Sequence, residues 1–145
     1  MKELKDILKE LSVTFIHGDQ AKIISGVTAD SREVRAGSLF IAVRGTKSDG
    51  HAFISKAVEA GAAAVICEQL PDTLNEGVTM IVVGDSAAAT GMAASAFYDH
   101  PSRRLKLTGV TGTNGKTTIA TLLYNMFDAL GYKCGLLSTV CNYVF

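Results

Sequence analysis

Residues 37–67, GSLFIAVRGTKSDGHAFISKAVEAGAAAVIC, decide the fold class. Gly37 to Val43 is apolar, aromatic and β-branched and begins at a glycine, which predicts a strand. The polar run RGTKSDG follows as a loop with Gly45 and Gly50 near its edges. His51 to Ala60 then predicts a helix with Phe53, Ala57 and Ala60 on one face, and Gly61 is placed to end it. Ala62 to Cys67 is a short buried strand. Working outward, Leu4, Ile7, Leu8 and Leu11 recur at helical spacing, and Ile23 to Thr28 is an extended run that breaks at Asp30-Ser31-Arg32. Val78 to Val83 predicts another strand. Asp85 or Ser86 caps a helix running to about Tyr98, with Met92, Ala96 and Phe97 facing inward. Strands alternating with helices give an α/β protein.

The best boundary is Asp99 to Leu107, where Pro101 stops the helix and the composition turns polar. It divides the chain into a small N-terminal α/β domain, residues 1–100, and a second domain over 101–145. The second part predicts a strand (Leu105 to Thr111), a glycine loop, a helix (Lys116 to Leu130), Gly131, and a strand (Lys133 to Val140). That is one β-α-β unit with a parallel sheet. Two strands and one helix cannot cover both faces of such a sheet, so the second domain reads as incomplete.

The chain has 145 residues, 48% of them hydrophobic, with 14 basic and 14 acidic side chains and zero formal net charge. Neutrality without basic runs argues against nucleic acid or a charged membrane surface as partner. The N-terminus, MKELKDILKELS, lacks the apolar block of a signal peptide, and no stretch approaches the about 20 apolar residues that span a bilayer. The cysteines Cys67, Cys134 and Cys141 are odd in number and lack metal spacing, which fits reduced thiols and a cytoplasmic protein.

Chemistry concentrates in GVTGTNGKTT, Gly109 to Thr118. The general phosphate-loop pattern G-x-x-x-x-G-K-[ST] fails at one position, because Val110 stands where its first glycine would be. Its physical parts remain. Gly112 and Gly115 let successive N–H groups turn toward phosphate oxygens, with Thr113 and Asn114 between them. Lys116 can neutralise terminal phosphates, the Thr117 hydroxyl can ligate Mg²⁺, and Thr118 continues the helix whose positive end faces the anion. The loop alone leaves hydrolysis, kinase transfer and ligation open.

This run resembles the ATP loop of the Mur ligases, which carry T-G-T-N-G-K-T-T; folylpolyglutamate synthases share a similar loop. The preceding segment, GVTADSREVRAGSLFIAVRGTKSDGHAFISKAVEAGAAAVI, resembles the UDP-binding N-terminal domain of the Mur ligases, which folylpolyglutamate synthases lack. Within the family the likeness is closest to members that add the third peptide residue to UDP-N-acetylmuramoyl-L-alanyl-D-glutamate. It implies a P-loop ATPase-type second domain that uses ATP and Mg²⁺ in peptidoglycan precursor synthesis. ATP would activate the terminal carboxylate as an acyl phosphate, which the amine of diaminopimelate or lysine attacks. The implied ATP contacts are Gly112, Thr113, Asn114, Gly115, Lys116, Thr117 and Thr118, with Lys116 catalytic and Thr117 the metal ligand. The implied UDP-substrate contacts are Ala29, Ser31, Arg32, Thr46, Lys47 and Ser48.

The sequence departs from the family at two of these places. Ala29 sits where leucine is common, and Thr46-Lys47-Ser48 sits where some members have His-Gln-Ala. The family's later Mg²⁺ ligands and amino-acid-binding domain have no counterpart before Phe145, so this polypeptide alone is expected to be inactive. Which amino acid is added stays open. Alternatives are a D-alanyl-D-alanine-adding Mur ligase, a non-catalytic UDP-binding module, and a phosphate-loop kinase or NTPase. His51 reads as a residue at a helix start, Asp85-Ser86 as a cap, and His17 and His100 have no metal-spaced partners.

Overall fold

The computed structural model describes residues 1–45 and 48–144. The chain separates into two compact units, Met1–Leu105 and Lys106–Phe145.

The first unit contains β1 (Lys2–Glu3), α1 (Leu4–Leu8), β2 (Val13–His17), β3 (Ile23–Ile24), β4 (Gly26–Thr28), β5 (Ser38–Ile41), a 3₁₀ turn (Gly50–Phe53), α2 (Ile54–Glu59), β6 (Ala64–Cys67), β7 (Thr79–Val83), α3 (Ser86–Phe97) and a second 3₁₀ turn (Pro101–Arg104). Its main sheet has the order β2-β7-β6-β5-β4. The strands β4 to β7 run parallel, and β2 closes the β7 edge antiparallel. β1 and β3 form a separate two-stranded ribbon.

Both faces of the parallel strands are buried, and the period-two alternation of side chains sorts them into two cores. Leu39, Ile41, Ala64, Ile66, Ile81 and Val83 pack with α1 and with Ala89, Ala93 and Ala96 of α3. Phe40, Ala42, Val65, Cys67 and Met80 pack on the other face against Ile54 and Ala57 of α2. The result is three layers, helix–sheet–helix. Small residues on α3 let it lie close to the strands.

Two helices of this unit end alike. At the end of α2, Gly61 N–H donates to the Val58 carbonyl and Ala62 N–H to the Ala57 carbonyl, both at 3.0 Å, with Gly61 at φ +96°. This is the left-handed stop that the glycine was expected to supply. In α3 the left-handed position is taken by Asp99 at φ 59°, and the His100 N–H donates to the Ser95 carbonyl. The Lys2 ammonium pins this corner through the Ala96 carbonyl (2.5 Å) and the Asp99 carboxylate (2.6 Å).

Several expectations change. The extended run 23–28 divides into β3 and β4, and the 51–60 helix begins as a 3₁₀ turn before α2. Met92 is 46% exposed, and Ala89 and Ala93 hold the inward positions of α3 instead. β2 was not expected from the sequence. A register shift between Val13 and Phe15 breaks its alternation, which hides an edge strand from periodicity.

The second unit holds α4 (Lys116–Ala129), β8 (Leu136–Leu137) and β9 (Asn142–Tyr143). The expected parallel β-α-β is not formed among the described residues. Residues 106–111 carry no strand pairing there, because a strand needs a hydrogen-bonded neighbour. The expected strand from Lys133 to Val140 is interrupted at Ser138, whose hydroxyl donates to the Cys141 carbonyl at 2.7 Å and turns the chain back. β8 and β9 therefore pair antiparallel. The end of α4 repeats the glycine stop: Gly131 lies at φ +81°, Tyr132 N–H donates to the Phe127 carbonyl, and the Phe127 and Tyr132 rings meet edge to face at 5.8 Å.

Phe40→Ala should lower the unfolding free energy of the first unit by about 3–5 kcal/mol, whereas Met92→Ala should change it by no more than about 0.5 kcal/mol. Urea denaturation of the two variants compares them directly; equal costs would contradict this division of core and surface.

Candidate functional site

Four adjacent parallel strands all end at the same edge of the first sheet, so the segments leaving β4, β5, β6 and β7 emerge together there. In open α/β sheets this carboxyl edge is where ligands bind.

The turn after β4 is built by Asp30. Its carboxylate accepts the Arg32 N–H at 2.9 Å, and Asp30 N–H donates to the Thr28 hydroxyl at 3.0 Å. The Arg32 guanidinium grips the same carboxylate through Nε (2.9 Å) and Nη2 (2.6 Å). Hydrogen bonding from Arg32 holds the Asp30 carboxyl down at about 2. Ala29 and Arg32 are exposed and Ser31 is half-buried, so the turn presents a cation and a hydroxyl to solvent.

The loop after β5 is pinned at its base. Arg44 and Asp49 form an antiparallel bridge, Gly45 N–H donates to the Ser48 carbonyl at 3.1 Å, and Gly50 N–H donates to the Val43 carbonyl at 2.8 Å. A Cβ on Gly50 would lie 2.7 Å from backbone atoms of Val43, so only glycine fits this approach. Ser48 is exposed at the loop, while the expected contacts Thr46 and Lys47 lie outside the described residues.

Glu68 follows β6 and Ser86 opens α3 after β7. Ser86 is 1% exposed, and both its hydroxyl (2.7 Å) and its N–H (3.1 Å) donate to Glu68 Oε1. Those bonds, the hydroxyl's first, pull the Glu68 carboxyl below its ordinary range. The Arg44 N–H donates to Ser86 Oγ at 3.3 Å. Asp85 caps α3 by accepting the Ala88 N–H at 2.9 Å. Arg44, Asp49 and Glu68 were not among the residues expected at the site. Their shared signal is a polar residue just past the end of an apolar strand or beside a loop glycine.

In the second unit the expected phosphate loop leads directly into α4. Gly112 and Gly115 take positive φ of +146° and +76°. The N-terminus of α4 has no side-chain cap, and its first backbone bond is Ile119 N–H to the Gly115 carbonyl at 2.9 Å. The N–H groups of Lys116, Thr117 and Thr118 are thus the orphan donors of a 14-residue helix. The Lys116 ammonium donates to the carbonyls of Gly112 (2.5 Å) and Thr113 (3.2 Å), which holds the cation across the loop. Gly112 to Lys116 and Thr118 are exposed and Thr117 is half-buried. Among the described residues no three His, Cys, Asp or Glu side chains converge on a metal position. Cys67, buried in the first unit, is a free thiol that burial pushes up to about 11.

Comparison with known proteins yields two family matches: the Mur ligase family, catalytic domain, over residues 23–98, and the Mur ligase middle domain over residues 110–145. The chain is 58% identical over 142 residues to the UDP-N-acetylmuramoyl-L-alanyl-D-glutamate--2,6-diaminopimelate ligase of Bacteroides fragilis, covering 98% of this chain and 29% of that protein. A MurF crystal structure from Acinetobacter baumannii superposes with a TM-score of 0.70 at 26% identity, over 88% of this chain and 28% of that one. The Thermotoga maritima MurF ligase, solved in complex with ADP, superposes with a TM-score of 0.55 at 32% identity, over 74% and 24% of the two chains. The chain thus spans less than a third of the length of the relatives it matches.

The Asp30–Arg32 pair sets a pH response. Asp30 titrates ordinarily near 3.8 and is held at about 2 in the fold, so the pair's contribution is complete above about pH 4 and fades as the pH falls toward 2. A carboxyl NMR titration should find Asp30 at about 2 in the native chain and raised part of the way toward its ordinary value in Arg32→Ala, which removes the guanidinium and keeps the backbone N–H bond. An Asp30 that titrates alike in both proteins would remove Arg32 as the organiser of this turn.

Proposed function

The chain belongs to the Mur ligase family, and on that premise we propose that it carries the UDP-substrate recognition domain and the opening of the ATP-binding domain of an amide-forming ligase. The whole enzyme adds diaminopimelate to UDP-N-acetylmuramoyl-L-alanyl-D-glutamate, the reaction named for the Bacteroides fragilis relative. The observation that carries this reading is that the turn 28–32 and the loop 44–49 leave neighbouring parallel strands at one edge. Ala29, Ser31, Arg32 and Ser48, with Thr46 and Lys47, form the uridine diphosphate site.

The second unit begins a P-loop ATPase-type domain. Its residues from Gly112 to Thr118 take the ATP phosphates, with backbone N–H groups at the start of α4 as donors. Lys116 supplies the positive charge for the phosphoryl group as it passes to the substrate carboxylate. That transfer gives an acyl phosphate and ADP. The amine of diaminopimelate attacks the acyl carbon, and inorganic phosphate leaves as the amide forms.

Thr117, at the second residue of α4, offers one hard oxygen, which fits Mg²⁺ held jointly with nucleotide phosphates better than by protein alone. When bound, that ion neutralises phosphate charge. No helix among the described residues is long and apolar enough to cross a membrane, and the proposed site is the cytoplasm. The second reading is the D-alanyl-D-alanyl ligase activity printed for an Acinetobacter baumannii structure, which would act on the UDP-linked tripeptide.

Calorimetry on the 145-residue chain separates these cases. UDP and the UDP-linked dipeptide should bind, the dipeptide more tightly than the tripeptide. Lys116→Ala should weaken Mg-ATP about tenfold to a hundredfold and leave UDP unchanged. UDP binding with no ATP affinity would favour a non-catalytic module, and ATP affinity without uridine nucleotide affinity a phosphate-loop kinase or NTPase. Amide formation by this polypeptide alone would contradict its expected inactivity.

A further inference from the structure

A closed circuit of polar contacts joins the strand ends of the first unit, and His51 is its pivot. The ring is only 14% exposed. Its Nε2 accepts the Glu68 backbone N–H at 2.9 Å. A backbone N–H can only donate, so Nε2 carries a lone pair and the proton of the neutral ring sits on Nδ1. Nδ1 in turn lies 2.6 Å from Asp49 Oδ1, the oxygen that also accepts the His51 N–H at 2.9 Å. Asp49 Oδ2 lies 3.5 Å from Arg44 Nε, and Arg44 Nη1 lies 3.7 Å from Glu68 Oε2. The path from Arg44 through Asp49, His51 and Glu68 returns to Arg44.

We propose that neutral, Nδ1-protonated His51 is a positioning residue for the uridine diphosphate, latching the loop after β5 to the end of β6. The inference rests on the reading above that this loop holds the diphosphate. Asp49 and Arg44 are the two residues of the bridge at the loop's base, and the residues 46–48 assigned to the ligand lie between them. Asp49 fixes which nitrogen of His51 carries the proton, and that choice allows the bond to Glu68. Glu68 is itself anchored by Ser86 at the start of α3. The latch therefore ties the loop to the next two strand ends. A helix-starting histidine needs none of this: the 3₁₀ turn is already capped by Asp49 accepting the His51 N–H.

The test uses the 145-residue chain with His51→Phe, which keeps a ring and removes both nitrogens, and His51→Gln, whose oxygen can still accept the Glu68 N–H. Histidine ¹⁵N spectra of the native chain should find His51 protonated on Nδ1 and bare on Nε2. In His51→Phe, amide exchange at Glu68 should accelerate at least about tenfold and UDP should bind about tenfold more weakly, with His51→Gln restoring most of both. A ring protonated on Nε2 overturns the latch, as does a His51→Phe chain unchanged at the Glu68 amide. Faster exchange with unchanged UDP affinity overturns the positioning role. If His51→Phe fails to fold, the tautomer and the near-native behaviour of His51→Gln decide. A native chain without UDP affinity, but with this tautomer and exchange response, contradicts the substrate reading and leaves the latch in place.

Discussion

The constraint on which the first unit depends is that its parallel strands are buried on both faces at once. Successive residues of β5, β6 and β7 answer to opposite cores: Leu39 and Ile41 to α1 and α3, Phe40 and Ala42 to α2. A one-residue slip would exchange the two sets, putting Phe40 where α3 has made room only for alanine-sized contacts. The register is fixed accordingly, and with it the heights at which the chain leaves the sheet. Neither face offers room for a ligand. What the strands can present is their carboxyl edge, where residues 29–32, 44, 45, 48–50, 68 and 84–86 emerge side by side.

That edge has to be polar without becoming a liability. Arg44 and Asp49 are exposed at the base of the loop, whereas Glu68 is half-buried and Ser86 buried at the strand ends, and uncompensated groups in that buried part would cost more than their bonds return. The circuit meets the demand. Among the described residues no buried side-chain nitrogen or oxygen lacks a partner. The carboxylates of Asp30, Asp49 and Glu68 are all held below their ordinary values, each chiefly by hydrogen bonds from a close neighbour. The edge is in this sense assembled in advance. Loops that would otherwise pay conformational entropy on meeting an anion are already tied to one another.

Much of this was legible in the sequence, for identifiable reasons. Gly61 announces its stop because a left-handed residue is needed to end α2, and Asp85 announces its cap because a carboxylate satisfies an orphan N–H. The strands of 37–43, 62–67 and 78–83 are visible as apolar blocks since both faces are covered, although hydrogen bonding trims each at its ends. β2 was hidden by its bulge and by Thr14 and Phe15 facing solvent. Met92 was misassigned because an alanine-rich helix has little amphipathic contrast. The strand expected at residues 105–111 depends on neighbours in space that local pattern does not contain. His51 was undervalued for a related reason: its partner Glu68 is 17 residues away, at the end of another strand. The ligand residues of both loops were drawn from a family resemblance rather than from the physics of the residues alone.

The central claim, that the carboxyl edge of β4–β7 receives the uridine nucleotide, is tested most directly by following backbone amide NMR shifts while UDP is added to the chain. The account predicts that the shifts gather at Ala29 to Arg32, Arg44, Gly45, Ser48 to His51 and Glu68. Shifts confined to the opposite edge, at Ser25, Gly37, Gly61, Ala63 and Gly77, would contradict it.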